Sequence, residues 1–371
     1  MASCDWGERF DASYLFVRVS RSTGHELELL DNVQAGGSVE RNQDTQAFES
    51  ATLPFVGSLD IGADLVRCYL VPTQRGRERD RVAIGTWLPS TPDRTASGAY
   101  SHGTAKLYGR LRELADDAFD MPVSLAAGTR LVDWARSVCE GAGLSVVTDR
   151  SDAALTQTWT FGTSRAGDSD GCSTKLGAVN KALALAGFDS ARTDPMGRVV
   201  MRRSRDVDAR TAVWSFREGR GARFLSEATE EFDKSSVANV VHADYSGQGA
   251  DNAAVTVRGI AIDSDPASPY STASVGRRIV AIYDYDDLPA GSSAAEMQAT
   301  ANAKAAELLS TQRSVIRRAG FTHAYCPVTV GDVVTFEYGS ARMSGAYAIR
   351  KQNIDLGAGC LVTEEARRFE R

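Results

Sequence analysis

Several things are missing from these 371 residues. No run of about 18 apolar residues occurs, so no transmembrane helix is expected. The first residues, MASCDWGERFDASY, hold no apolar core segment and do not read as a secretory signal. The six cysteines (4, 68, 139, 172, 326, 360) form no CxxC pair, and the four histidines (25, 102, 242, 323) are dispersed. That spacing gives no zinc site and predicts reduced thiols in a chain made in the cytoplasm. G-x-S-x-G, H-E-x-x-H, the P-loop and G-x-G-x-x-G are all absent.

Net charge is −6, from 42 Lys and Arg against 48 Asp and Glu. Tight nucleic-acid binding needs clustered cations that displace phosphate counterions, so this balance disfavours it. A channel that DNA merely passes through stays open as a reading, since mild acidity repels phosphates. The plainer reading is solubility.

What is present is a globular composition, 43% hydrophobic and 24% charged, long enough for two to four domains. Leu27 to Leu88 sets the pattern. Apolar residues recur at every second position, as in Leu15-Val17-Val19 just upstream and Val66-Cys68-Leu70, which predicts strands with one buried face. Gly36-Gly37 and Asn42-Gln43-Asp44 supply breaks. The unit reads as antiparallel β that curls or closes. QRGRERDR (74–81) reads as a solvated hairpin tip, or alternatively as a DNA-facing or partner-facing loop. Pro89–Gly98 reads as a connector, followed by a strand from Ser101 to Tyr108. His102 reads as a polar surface residue.

From about 109 the period becomes helical. Leu111, Leu114, Ala115 and Ala118 predict a short turn. A helix follows with Leu131, Val132, Ala135, Val138 and Cys139 on one face, capped by Thr129 and stopped by Gly141 and Gly143. A second unit of the same plan has a strand at 158–161, a helix capped by Ser173 and ended by Gly187, and a strand at 197–201. Asp168-Ser169-Asp170 lacks the register of a calcium loop.

From 206 the pattern returns to β, with strands at 238–243, 254–257 and 277–283 and a proline-containing loop at 264–270. Ser293 and Glu296 form a capping box for a helix over 294–319. Its apolar face is Met297, Ala301, Ala305, Leu308 and Leu309. So thin an alanine stripe permits close approach to a sheet or to another subunit. Val328-Thr329-Val330, Val333–Tyr338, Ala346–Arg350 and Gly359–Thr363 read as closing strands.

Certain of these features, in this order, resemble phage tail hub proteins. They are Gly-Gly-Ser (36–38), Val66-Arg67-Cys68-Tyr69-Leu70, Gly85-Thr86-Trp87-Leu88 with Ser90-Thr91-Pro92, Asp263–Arg278, the long helix, and Val330-Gly331-Asp332-Val333-Val334. The resemblance spans residues 10–371 and is weakest in the middle. It implies an α+β, mainly β fold with two tail-tube-like antiparallel β-barrel or sandwich domains. These would be 1–108 and 206–371, flanking a small α/β middle region of two units, 109–150 and 151–205. It further implies a homotrimer whose two β domains per chain turn threefold into near-sixfold symmetry. Distal tail or tail-tube proteins would lie above, and tip, fibre or tape-measure proteins below or within. DNA would pass transiently through the lumen of the virion tail tip, with no stable membrane insertion.

No catalytic, cofactor-binding or metal-binding residues are assigned. Gly85-Thr86-Trp87 and Gly162-Thr163-Ser164 lack a His–acid partnership. Asp116-Asp117, Glu230-Glu231 and Asp286-Asp287 read as solvated loop charges. Trp87, Trp134, Trp159 and Trp214 read as core, whereas Trp6 and Tyr283-Tyr285 read as exposed contacts. The rival readings are a tail-associated peptidase or glycan hydrolase, and a carbohydrate-binding receptor module.

Overall fold

The computed structural model describes residues 4–45, 48–77, 80–90, 93–97, 100–156, 158–161, 172–205, 210–232, 237–248, 254–285, 293–312 and 315–370. Glu78-Arg79, Gly162-Thr163-Ser164, Asp168-Ser169-Asp170 and Asp286-Asp287 lie outside these residues. The chain divides into two compact units, 1–228 with 320–366, and 229–319 with 367–371.

Eight strands open the first unit. They are β1 (Asp11–Val19), β2 (Glu26–Leu29), β3 (Ser38–Asn42), β4 (Glu49–Val56), β5 (Leu65–Thr73), β6 (Val82–Pro89), β7 (Asp93–Ser97) and β8 (Tyr100–Gly109). β4 alternates as its sequence requires, with Ala51, Leu53 and Phe55 buried and Ser50, Thr52 and Pro54 on the other face. β1 and β5 depart from the one-face expectation. Leu15 is 38% exposed, and β5 is buried on both faces from Leu65 to Leu70. Val66, Cys68 and Leu70 join the main core, while Leu65 and Tyr69 pack with Val17 and Val19 on the far side. A turn from the middle region lies nearby: Thr86 Oγ1 donates to Pro195 O at 2.9 Å. The Pro89–Gly98 connector contains β7, which pairs with β8. Its sequence, DRTAS, has no apolar alternation to betray it.

The middle region holds α1 (Arg112–Ala115), β9 (Val123–Leu125), α2 (Leu131–Gly141), β10 (Val146–Thr148), β11 (Trp159–Phe161), α3 (Lys175–Leu185), β12 (Arg192–Thr193) and β13 (Val199–Met201). Its two helix units interleave: β9 pairs with β11, and β10 runs parallel to β13. Both helices stop in the same way. Leu144 N donates to Cys139 O at 3.0 Å, and Phe188 N to Leu183 O at 2.8 Å. Gly143 (φ 79°) and Gly187 (φ 73°) take the left-handed step that this stop requires. The caps differ from expectation. Thr129 Oγ1 donates to Ala126 O and does not cap α2. Thr174, not Ser173, caps α3 by accepting Gly177 N at 3.1 Å, because the chain enters the helix one residue later.

β14 (Trp214–Arg217) and β15 (Phe224–Phe232) lead to the second unit, with β16 (Val240–Gln248), β17 (Ala254–Ile262), α4 (Thr272–Val275), β18 (Val280–Tyr285) and α5 (Ala294–Gln312). Its sheet has the order β17-β16-β18. Met297, Ala301, Ala305 and Leu309 of α5 pack on Val241, Ala243 and Tyr245. The capping box forms: Ser293 N donates to Glu296 Oε2 at 2.8 Å, and Glu296 N to Ser293 Oγ at 3.3 Å. A Cβ on Gly259 would lie 2.0 Å from Ala301 O, so the alanine stripe does bring helix and strand into close contact.

α5 is shorter than the expected 294–319. It ends at Gln312, and residues 315–324 form strand β19 (Val315–Ala324). Burial alternates there, with Ala319, Phe321, His323 and Tyr325 inside, and this two-residue period overrides the helix-forming residues before it. β20 (Val333–Tyr338), β21 (Met343–Asp355) and β22 (Leu361–Glu370) follow. Val328-Thr329-Val330 is not a strand. It forms the approach to a turn in which Thr329 N donates to Asp332 Oδ2 at 2.9 Å.

One sheet runs β15-β19-β22-β21-β3-β4-β8-β6-β5-β1-β2, with β7 also on β8, and β14-β20 also on β21. The early and late β stretches therefore join. Their main core is likewise shared, with Leu53, Phe55 and Trp87 from the first and Ile354, Leu356 and Val362 from the second.

Candidate functional site

The join between β3 and β21 is antiparallel, from Ser38↔Asp355 to Asn42↔Lys351. Its alternation sends Val39, Arg41, Gln352 and Ile354 inward. Two of these four are polar, and they begin a buried chain of partners. Arg41 Nε donates to Glu49 Oε1 at 2.9 Å, and Arg41 Nη1 to Gln352 Oε1 at 2.8 Å. Arg41 Nη2 donates to Ile84 O. Thr193 Oγ1 donates to Glu49 Oε2 at 3.2 Å. Gln352 Nε2 donates to Val328 O at 2.9 Å and to Glu364 Oε1 at 2.8 Å. Burial pushes the Glu49 carboxyl up, and the Arg41 guanidinium opposes that.

The chain of partners ends at His323. Its Nδ1 lies 2.8 Å from Ala324 O, which can only accept, so Nδ1 carries a proton. Nε2 lies 3.1 Å from Glu364 Oε1, and one proton serves that contact. The Phe216 ring stands 4.6 Å from the imidazole. All these polar side chains are buried, so the cluster offers no face to a substrate. It ties strands from both ends of the sequence together. Removing Arg41 or Glu49 alone would strand a buried charge.

The opposite face of the same strands is polar. Ladder pairing places Glu40 beside Asn353, Ser50 beside Tyr108, Thr52 beside Lys106, and Thr95 beside His102. Lys351 Nζ meets Glu40 Oε1 at 2.7 Å, and Thr322 and Thr363 hydroxyls meet at 3.0 Å. Lys106 and Lys351 stand on it with Glu40, so it carries charges of both signs. Two glycines on the inward phase permit close pairing of these strands: a Cβ would lie 2.0 Å from Thr52 O at Gly37, and 2.0 Å from Asp93 O at Gly103.

Other residues singled out by sequence sit apart from this place. Among the described residues no group of three or more His, Cys, Asp or Glu could hold a metal ion. Asp116 pairs with Arg112 at 2.7 Å and Asp117 with Lys175 at 2.5 Å. Glu230 and Glu231 are strand residues rather than loop charges, facing Arg317 at 3.4 Å and Arg318 at 3.5 Å. The 74–81 tip joins β5 to β6. Its Gln74 is bonded to Asp5, and Arg81 meets Glu26 at 2.9 Å. His102 is exposed.

Two expected contact sites are half-buried and pack against the cores. Trp6 lies edge-on to Phe10 and Tyr325, and Tyr285 stacks on Tyr245 beneath α5. Trp87 is fully buried, and Trp134 and Trp159 belong to one aromatic cluster.

Sequence reasoning missed Arg41, Glu49, His323, Gln352 and Glu364. A signal was available, since each occupies the apolar phase of an alternating strand, as in Val362-Glu364-Ala366.

No protein-family model matches the chain, and no curated protein does. Solved structures do share its fold. A tail protein from Neisseria meningitidis MC58 aligns at TM-score 0.63 and 12% identity, over 96% of each chain. The 43 kDa tail protein of prophage MuSo2 from Shewanella oneidensis aligns at 0.58 and 13%, over 95% of this chain and 97% of that one. A chain of the Francisella PdpA–VgrG complex aligns at 0.53 and 9%, over 97% of this chain and 58% of that one. At these identities the likeness is one of fold.

Proposed function

We propose that the chain is a structural hub of a tail tip, in a phage or a phage-like particle. Three copies form a ring that continues the tail tube. The observation that carries this is the sheet run β15-β19-β22-β21-β3-β4-β8-β7. It draws on both β stretches, within 1–108 and 206–371, and its two ends lack strand partners among the described residues. A sheet with two different open ends suits a heterologous contact, one copy's β7 against the next copy's β15. Three such contacts close a ring in which each copy contributes two β halves, giving near-sixfold symmetry for docking on a tube.

The buried chain at the β3–β21 join fixes the angle between the halves in this reading. The polar face lines the channel, and its mixed charges neither bind nor block DNA passing during infection. Distal tail or tube proteins dock above. Tip, fibre or tape-measure proteins dock below or within. The role is non-catalytic.

The first experiment is native mass by light scattering after gel filtration, over a range of concentrations, followed by imaging. The subunit is 39.8 kDa. A threefold mass with a near-sixfold ring in projection is the expected result. A monomer at every concentration, alone and mixed with tail-tube protein, overturns the ring.

A further inference from the structure

A further open strand edge belongs to β14, close to the start of β15. β14 runs parallel to β20 along Trp214–Arg217, and among the described residues its other edge has no strand partner. A groove of about 380 Å³ follows it, lined by Gly7, Trp214, Phe216, Arg217, Gly221 and Arg223 among others. That volume falls within the roughly 300–1,000 Å³ of ligand clefts. One wall is the turn closed by Glu8 N on Asp5 O at 3.0 Å, which contributes Gly7. Arg223 Nη2 anchors that turn by donating to Glu8 O at 2.8 Å.

The polar groups of this groove are unbalanced toward donors. Glu218 already accepts from Ser340 N at 2.9 Å and from the Ser340 hydroxyl. Arg217 and Glu337 satisfy each other at 3.1 Å. Arg223 Nε is out of water and without a partner, and Arg220 is exposed between the lining residues Glu218 and Gly221. A free main-chain edge accepts an extended chain, and surplus guanidinium groups favour carboxylates on it.

We propose that this groove is a strand-addition site for an extended acidic segment of another polypeptide. The edge supplies main-chain hydrogen bonds, and Arg220 and Arg223 select acidic side chains. Its lining residue Arg223 directly precedes β15, so the site borders the proposed ring contact and rests on edge groups of β14, not of β15.

The test uses the full chain and a blocked peptide, acetyl-Val-Glu-Val-Glu-Val-amide, with its Lys counterpart. Binding is followed by fluorescence anisotropy on a labelled form, and the location by amide hydrogen exchange. The Glu peptide binds, slows exchange at Trp214–Arg217, and loses about tenfold in affinity in Arg220→Glu and in Arg223→Gln. Arg220 touches no core, so its variant keeps the test valid if Arg223→Gln loosens the N-terminal turn. Equal binding of the Lys peptide, no binding at millimolar peptide, or protection elsewhere overturns the proposal. So does protection at 214–217 that rises with protein concentration alone, which would mean a second copy fills the groove. An equal response to an oligothymidine would mean a general polyanion site and also overturns it.

Discussion

Arg41 and Gln352 stand 311 residues apart in sequence and face each other across one ladder, with Arg41 Nη1 donating to Gln352 Oε1 at 2.8 Å. Arg41 is also the ion-pair partner of Glu49, and both side chains are at most 4% exposed. Such a pair adds little over an apolar substitute, yet breaking it is costly, because the survivor is a buried orphan charge. Arg41→Met or Glu49→Leu alone should each lose about 3–5 kcal/mol. The double variant should lose clearly less than their sum, by about 2 kcal/mol or more. Urea unfolding of the four proteins checks this, and additive losses would contradict it.

The Tyr69 hydroxyl donates to Glu26 Oε1 at 2.5 Å. That bond, ahead of Arg81, holds the Glu26 carboxyl below its ordinary value of 4.5. A depressed carboxyl stabilises the fold above its unfolded pKa and loses that contribution as pH falls through the folded one. Tyr69→Phe should therefore cost about 1 kcal/mol at pH 7. The gap from the parent should narrow as the pH drops below 4.5. Denaturant midpoints at pH 7, 5, 4 and 3 measure it. A gap constant across the series would exclude Glu26 as its source.

Gly259 leaves no room for a methyl group, because the obstructing atom is the backbone carbonyl of Ala301. Gly259→Ala should push α5 off its sheet and cost about 2 kcal/mol. Hydrogen exchange should speed up in α5, β16 and β17 while β4 and β8 stay protected. Unchanged protection in α5 would show that the helix can slide to make room.

The ring predicts an effect at β7. Ser101, the ladder partner of Ala96, turns its carbonyl to Gly57 N at 2.7 Å, so alternation leaves the Ala96 N–H on the outer edge. Ala96→Pro removes that donor without touching a β7–β8 bond. The variant should keep the parent's far-UV circular dichroism and lose the trimer in light scattering. A trimer of undiminished stability would assign the contact to another surface.

Much of the β skeleton was legible because strands half-buried on the core reveal themselves by period. β4 and the end of β21 follow that rule. β7 does not, since DRTAS is an edge strand whose exposed residues, 93–96, need not be apolar. The end of α5 was hidden by residues that suit either state, and only packing of Phe321 and His323 settles it. The site was harder to read. A polar residue on the apolar phase of one strand, such as Arg41, looks like an irregularity until its partner is known. That partner, Gln352, is an irregularity of the same kind in another strand.

The distance between those two residues also bears on how the chain is made. Ribosomes add about 5–20 residues per second, so the 311 residues separating Arg41 from Gln352 take roughly 15–60 s to appear. Throughout that interval one side of β3 has no ladder partner. Its sequence, SVERN, places a Glu and an Arg on the waiting edge. Charges of this kind discourage neighbouring nascent chains from pairing there first. Arg41 meets Gln352 only when the last strands arrive, so the residue that joins the finished sheet sits on the edge that waits longest for its neighbour.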